Sequence, residues 1–325
     1  MTFGLQQGAA DQAAGLDHAP VAEGEAARKI EGRSPWRLGM ARLMRDRAAM
    51  ISLGVIALIV LFAVFAPVVA AITGHGPLQQ FYAPVGLTQD GQPMGPSARF
   101  LLGTDTLGRD ILVRIAYGAR ISLIVGVLAT LITVAVGAAV GLAAGYFGGL
   151  VDSTLARLMD LLLAIPYLLL GISLVTVIGP GLSVVIIVIG ILGWASVGRI
   201  VRGQVISIRE KEYVEAARSL GAGPWRIMFI DILPNVIAPI IVYTSLLIPV
   251  TIVTEASLSF LGVGIPPPTP DWGQMINDSV SVYQYGAWWF LVFPSIALLI
   301  TTLAFNIFGD GVRDAFDPRG DQLFV

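Results

Sequence analysis

Long apolar runs alternate along the chain with shorter polar stretches. An α-helix of roughly 20 apolar residues crosses a bilayer core of about 30 Å. Six runs reach or approach that length: 50–72, 121–146, 159–179, 182–200, 236–261 and 287–309. Pro239 and Pro249 interrupt the fifth run, and a membrane-spanning helix tolerates them when neighbouring groups satisfy the freed carbonyls. The pattern predicts an all-α membrane protein with six transmembrane helices.

The polar residues before the first run divide into two parts. Residues 1–35 are small and polar, without the basic and apolar blocks of a signal peptide, and predict a disordered cytoplasmic tail. Residues 36–49 mix arginines with Trp36 and other apolar residues, which is typical of an amphipathic helix at the membrane interface. The remainder divides into 50–120, the first transmembrane helix with an extracytoplasmic segment, and 121–325, the core transmembrane domain.

Composition agrees with a membrane protein that crosses the bilayer several times. Of the 325 residues, 55% are hydrophobic and only 13% are charged, about half the charged fraction of soluble domains. The absence of cysteine excludes disulfides and thiolate metal sites. His18 and His75 lie far apart in polar stretches. We therefore predict that each is a solvated loop residue, and we expect no metal site.

The distribution of Lys and Arg predicts the orientation of the chain. If the N-terminus is inside the cell, only four of the twenty Lys and Arg residues lie outside: Arg99, Arg109, Arg114 and Arg120. This asymmetry predicts a multi-pass protein of the plasma (inner) membrane with both termini inside. It also places the polar residues 207–235 in the cytoplasm.

Residues 207–235 form an amphipathic stretch that is too polar to span a bilayer. Small and apolar residues recur at i, i+3, i+4 and i+7, on one side of a short helix. They are Tyr213, Ala216, Ala217 and Leu220. Gly221 is predicted to end this helix, Pro224 to begin a second one and Pro234 to close it. From spacing alone, an ordinary loop on the membrane surface is an equal alternative, whereas tethering at both ends disfavours a DNA-binding helix-turn-helix.

The same stretch resembles the "EAA loop" of ABC importer permeases, on Glu215-Ala216-Ala217, Gly221 and Leu233-Pro234. Asp231 departs from that pattern, which has an apolar residue two positions before the leucine. The resemblance implies a coupling helix that docks on a separate ATPase subunit, so we call residues 207–235 the coupling segment. Its predicted coupling residues are Glu212, Glu215, Ala216, Ala217, Arg218, Gly221, Arg226, Leu233 and Pro234.

Three further stretches, 102–123, 255–273 and 303–319, resemble the dipeptide/oligopeptide/nickel branch of these permeases and its C-type subunit. The resemblance implies the type I ABC importer permease fold. It also implies a second homologous permease subunit, one or two ATPase subunits and an extracytoplasmic solute-binding protein. We expect contact with membrane lipid and none with nucleic acid. Since the sequence has no G-x-x-x-x-G-K-[ST] loop, we expect no enzyme activity and no cofactor in this chain, with ATP and Mg on the ATPase.

Glu255 is the candidate for a functional ionisable residue inside a span, together with Ser257 and Ser259. It lies in the outer third of the fifth run, where a carboxylate is costly unless it is paired, hydrated or facing a cavity. The sequence leaves open whether it belongs to the translocation path or ties the helix to residues 266–273.

Other charged residues near the ends of the runs are expected to form local structural contacts. Asp110 is predicted to pair with the neighbouring Arg109 and Arg114, and Thr104 or Asp105 to cap the following helix. At the start of the third run, Asp152 and Asp160 are predicted to pair with Arg157, which lies between them.

Three other classes of membrane protein fit the sequence less well. An ABC exporter would usually carry its own ATPase or lack the Glu215 loop. A secondary transporter would need inverted repeats and coupling carboxylates at the midplane, and neither is evident. An intramembrane enzyme would need a catalytic pair in one span, but Asp160 and Glu255 lie near opposite membrane surfaces. The substrate stays open among dipeptides, longer peptides, nickel chelates, glutathione and sugars.

Overall fold

The computed structural model describes residues 35–316. All the secondary-structure elements named in this range are helices. The predicted tail lies outside the described residues apart from Pro35, which begins the first helix. In chain order the helices are α1 (Pro35–Leu43), α2 (Arg47–Val64), α3 (Ala66–Thr73), α4 (Ile111–Phe147), α5 (Gly149–Ala164), α6 (Tyr167–Ile178), α7 (Leu182–Arg209), α8 (Glu212–Ser219), α9 (Pro224–Arg226), a π-helical turn (Ile227–Ile232), α10 (Leu233–Phe260), α11 (Trp272–Tyr283) and α12 (Trp288–Phe316).

Five helices of the described range are long and apolar enough to cross a membrane. They are α2, α4, α7, α12 and the helix that runs from Pro224 to Phe260 through α9, the π-helical turn and α10. The bent pair of α5 and α6 makes a sixth if it counts as one span. The prediction of an all-α membrane protein is confirmed, with five clear spans and up to six.

The third predicted span, 159–179, is not one continuous helix. It is divided between α5 and α6, which meet at an angle of 89°. Pro166 is the cause, because a proline disfavours the helical conformation of the residue before it. Ile165 accordingly adopts an extended backbone with φ −91° and ψ 132°.

The predicted interfacial helix, 36–49, is also two helices. Asp46 interrupts it, because its carboxylate accepts hydrogen bonds from two free N–H groups at the start of α2, at 2.8 and 3.3 Å, and such a cap fixes a helix start. α1 ends earlier, at Leu43. It packs on the end of α12, where the rings of Trp36 and Phe316 lie 5.3 Å apart.

Three glycines of α4 create a close contact with α7. Gly137, Gly141 and Gly145 lie against α7, and a Cβ added at any of them would be 2.6 or 2.7 Å from an atom of that helix. Small residues at four-residue spacing let two membrane helices approach this closely.

The segment between α3 and α4 is organised around the buried carboxylate of Asp105. Its Oδ2 atom lies 2.6 Å from Nε of Arg109 and 3.3 Å from Nε of Arg114, and all three side chains are buried. Its Oδ1 atom accepts two backbone N–H groups at 2.9 Å each. The prediction that Asp110 pairs with these arginines is therefore wrong.

Asp110 instead caps α4, accepting from the first free N–H groups at 2.9 and 3.5 Å. Its other oxygen lies 2.6 Å from Nδ1 of His75. His75 is buried and packs against two phenylalanine rings. The predictions of a solvated His75 and of a cap by Thr104 or Asp105 are both wrong, because the segment folds back on the start of α4.

Ion pairs attach α5 to α7. Arg202 donates from two nitrogens to the two oxygens of Asp152, one of them at 2.7 Å, and Arg199 pairs with Asp160. The predicted partner, Arg157, is exposed and takes no part in these pairs. The prediction fails because the arginines of the neighbouring helix α7 reach both aspartates.

Candidate functional site

α8, the first helix of the coupling segment, is held by one buried residue. Val214 packs with Ile227 and Ile232 of the π-helical turn and with valines of α7. The predicted small-residue side is instead open, because Tyr213 and Leu220 are exposed and Leu220 retains 88% of its accessible surface. The other predicted coupling residues of α8 are exposed or half-buried: Glu212, Glu215, Ala216, Ala217 and Arg218.

Gly221 ends α8 as predicted. Its φ is +81°, a left-handed conformation that glycine adopts without steric cost. The N–H groups of Gly221 and Ala222 return to the carbonyls of Arg218 and Ala217, at 3.0 and 3.1 Å, which closes the helix end. A Cβ added at Gly221 would meet no atom within 4 Å, so the turn borders open space.

The second predicted helix begins at Pro224, but Pro234 does not close it. The helix passes through the π-helical turn and continues as α10 to Phe260. Wider π turns re-satisfy backbone groups that a proline frees. Asp231, the residue that departs from the family pattern, lies in this turn. Of the other predicted coupling residues, Arg226 and Pro234 are exposed and Leu233 is half-buried.

Apolar side chains without cover surround the helix end at Gly221. Leu220, Trp225, Phe229 and Ile230 are all exposed, Trp225 to 71%, and the rings of Trp225 and Phe229 stack with centroids 5.8 Å apart. Contiguous exposed apolar surface commonly marks a protein or membrane contact. This aromatic pair was not predicted from the sequence, although its i, i+4 spacing is a usable signal.

The candidate translocation residues do not form one site. Glu255 is fully buried and accepts from the hydroxyl groups of Ser122 at 3.3 Å and Ser259 at 3.1 Å. Ser259 is also buried, and its Oγ accepts from the N–H of Ile265 at 3.4 Å. Ser257 lies apart from them, half-buried, with its hydroxyl bound to its own helix.

The start of α11 packs directly on the helix turn that carries Glu255. A Cβ added at Gly273 would lie 2.2 Å from the carbonyl oxygen of Ala256, and the indole of Trp272 donates to the Ile115 carbonyl at 3.1 Å. Asp271 caps α11 through a 2.8 Å bond from the N–H of Gly273, and burial raises the pKa of the Asp271 carboxyl. Residues 271–273 therefore lie close to the turn of α10 that carries Glu255, and both alternatives for Glu255 stay open.

Known proteins resemble this chain over most of its length. It is 42% identical over 87% of its length to "Dipeptide transport system permease protein DppC" of Bacillus subtilis (strain 168), of which it covers 84%. It is 41% identical over 90% of its length to "Oligopeptide transport system permease protein OppC" of Escherichia coli (strain K12), of which it covers 93%. It is 39% identical over 88% of its length to "Glutathione transport system permease protein GsiD" of Pectobacterium atrosepticum, of which it covers 92%.

Two family descriptions match separate parts of the sequence, with residues 87–135 between them. Residues 34–86 match the N-terminal TM domain of oligopeptide transport permease C. Residues 136–321, which include the coupling segment, match the binding-protein-dependent transport system inner membrane component. The resemblance inferred from the motifs is thus confirmed, and the chain belongs to the family of binding-protein-dependent transport permeases of the inner membrane.

Proposed function

We propose that this chain is a permease subunit of an ATP-driven importer of di- or oligopeptides and that it forms half of the translocation pore. The dipeptide and oligopeptide systems named for its relatives support this substrate class. The chain would hydrolyse no ATP itself, since the ATPase subunits bind ATP and Mg.

The proposed assembly contains a second homologous permease, one or two ATPase subunits inside the cell and a solute-binding protein outside. Both termini and the coupling segment would face the cytoplasm. The excess of Lys and Arg on that side supports this orientation, and the ATPase then meets the coupling segment directly.

The observation that carries the proposal is the uncovered apolar end of the coupling segment. Val214 packs α8 against its own subunit, whereas the side chains of Leu220 and Trp225 are largely exposed to solvent. Removing such side chains from water contributes about 25 cal/mol per Å². A docking partner would gain this stabilisation, and α8 would follow the partner when it moves.

A displacement of α8 would be transmitted to the membrane-spanning helices through direct side-chain contacts. Val214 packs on the π-helical turn, and Nδ2 of Asn235 at the start of α10 donates to the hydroxyl of Tyr213 at 3.3 Å. The helix continues from there to Glu255 and Phe260. ATP can favour one state of the pore only by binding the two states of the assembly with different affinity.

A single thiol at position 220 tests both docking and orientation. The chain has no cysteine, so Leu220→Cys provides one labelling site on an exposed side chain. We expect a membrane-impermeant maleimide to label it from the cytoplasmic side only. We also expect the purified ATPase to slow this labelling, because the docked subunit covers the position.

The matched control is Leu101→Cys, an exposed leucine in the segment before α4. This thiol should react from the opposite side of the membrane, at a rate that the ATPase leaves unchanged. Labelling of position 220 from outside the cell would refute the orientation, and equal rates with and without the ATPase would refute docking at α8.

We also propose that Glu255, Ser257 and Ser259 contribute to the outer part of the translocation path. Support comes from the position of Glu255, a carboxylate in a membrane helix, where ionisable groups are costly and commonly functional. Its bonds to Ser122 and Ser259 would set its position beside the path rather than within the lumen.

Glu255→Gln distinguishes this proposal from a purely structural tie. The amide oxygen can still accept from one serine and the amide NH2 can donate to the hydroxyl of the other, while the side chain loses its ability to carry a negative charge. We therefore expect unchanged thermal stability and assembly but lower uptake per purified complex. The control is Asp90→Asn at an exposed carboxylate. Normal uptake per complex combined with lower stability would show that Glu255 serves only as a tie.

A further inference from the structure

A cavity of about 380 Å³ lies between α4 and the start of the helix at Pro224. Its lining is almost entirely apolar and includes Ala135, Ala139, Leu142, Trp225, Phe229 and Leu233. This volume falls in the range of small-molecule sites in proteins. Ala135 and Ala139 are themselves exposed on α4, so the cavity opens sideways from a membrane-spanning helix. Its wall could accept a hydrocarbon chain without burying any polar group.

A second cavity, of about 370 Å³, adjoins the first at Phe147, which lines both. The charged side chains in its lining are Arg209 at the end of α7, Glu210 directly after it, and Arg218 on α8. Arg209 already donates to Glu210 at 2.9 Å and to the carbonyl of Gly145 at 2.9 Å. Among the residues that the structure describes, no carboxylate forms an ion pair with Arg218. This second cavity therefore has an excess of positive charge.

We propose that the two cavities together bind one anionic phospholipid. An acyl chain would occupy the apolar cavity, and the phosphate would lie in the basic cavity beside Arg218 and Arg209. The lipid would come from the membrane leaflet on the side of the coupling segment. This proposal concerns a ligand of the permease other than the transported solute and does not depend on the identity of that solute.

The arrangement matches an amphiphile better than a soluble ligand or a protein chain. The apolar part lies within the depth of the membrane spans, and the cationic part lies at their end. Basic pockets between transmembrane helices are suited to anionic head groups. Trp225 and Phe229, which line the apolar cavity close to the basic one, are aromatic residues of the kind that favour the level of the head groups.

Such a lipid would touch three elements that meet at the coupling segment. Arg218 lies on α8, Trp225 on α9 and Phe147 at the end of α4. A bound lipid would therefore stabilise one position of α8 relative to α4. A displacement of the coupling segment would change the shape of both cavities.

The test measures lipids retained by the purified complex of the permease with its partner subunits. The complex is incubated with micelles that contain equal amounts of phosphatidylglycerol and phosphatidylcholine, washed, and analysed by native mass spectrometry. We expect the wild type to retain phosphatidylglycerol in preference to phosphatidylcholine.

Two variants distinguish the contributions of the basic and the apolar cavity to lipid retention. Arg218→Gln should lower the preference for phosphatidylglycerol about fivefold, the size of one basic side chain's contribution near an anionic membrane surface. Ala139→Phe should abolish retention of either lipid, because the ring would fill the apolar cavity. The matched controls are Arg157→Gln and Leu150→Phe, exposed residues of α5 outside both cavities, and they should behave as the wild type.

Three results would overturn the proposal. One is equal retention of the two lipids by the wild type. Another is a loss of preference in Arg157→Gln as large as that in Arg218→Gln, which would indicate general surface charge. The third is a wild-type complex that retains neither lipid, the result expected if a partner subunit fills the cavities.

Discussion

Replacing Asp105 with alanine is expected to lower the midpoint of thermal unfolding of the purified permease by about 10 °C. Asp105 is fully buried and holds two buried guanidinium groups, those of Arg109 and Arg114. Removing one partner of a buried ion pair leaves an uncompensated charge, at a cost of about 3–5 kcal/mol. The substitution also leaves two backbone N–H groups without their acceptor.

The measurement is fluorescence-detected unfolding in detergent, with Asp90→Ala as the control. Asp90 lies in the same segment between α3 and α4 but is exposed, so its removal should leave the midpoint unchanged. A stable Asp105→Ala variant would mean that the two arginines find water or another carboxylate, and the segment would then not depend on this cluster.

Replacing Gly221 with valine is expected to abolish ATP-dependent peptide uptake while the protein still inserts into the membrane. A left-handed backbone conformation costs a residue with a Cβ roughly 1–2 kcal/mol. A β-branched side chain raises this conformational cost further. That cost is too small to unfold the bundle, but the turn after α8 can avoid it by changing conformation. The exposed surface at Leu220 would then be presented to the ATPase at a different angle.

Uptake into vesicles reconstituted with all partner subunits measures this effect. Gly221→Asn is the matched control, because asparagine tolerates the left-handed conformation and should retain more activity than valine. A Cβ at this position meets no atom of the permease within 4 Å, and asparagine has a side chain of similar size to valine, so a larger loss in the valine variant would report on the backbone conformation. Full activity of the valine variant at equal expression would show that the geometry of this turn does not matter for coupling.

The features that could be predicted from the sequence are those that depend on local sequence pattern. Apolar length locates the spans, and the helix end at Gly221 follows from a residue type that the left-handed turn requires. The break at Pro166 has a local cause, but apolar length alone conceals it. The continuation of the helix past Pro234 depends on the π-helical turn, for which no comparable sequence pattern exists.

Two of the charged contacts could not be predicted because they join residues that are distant in sequence. His75 and Asp110 meet only because the intervening segment folds back, and Arg202 reaches Asp152 from another helix. Neighbouring opposite charges suggested other partners in both cases. Val214 was missed for the same reason, since its burial depends on where the π-helical turn and α7 come to lie.

The glycine contact between α4 and α7 limits how the subunit can change shape during a transport cycle. With Gly137, Gly141 and Gly145 pressed on the neighbouring helix, sliding would drive valine side chains into the opposing main chain. The next matching register lies four residues away, a step of about 6 Å. We therefore expect α4 and α7 to move together as one rigid unit. Bending is then expected outside these two helices, at the break at Pro166 and in the π-helical turn.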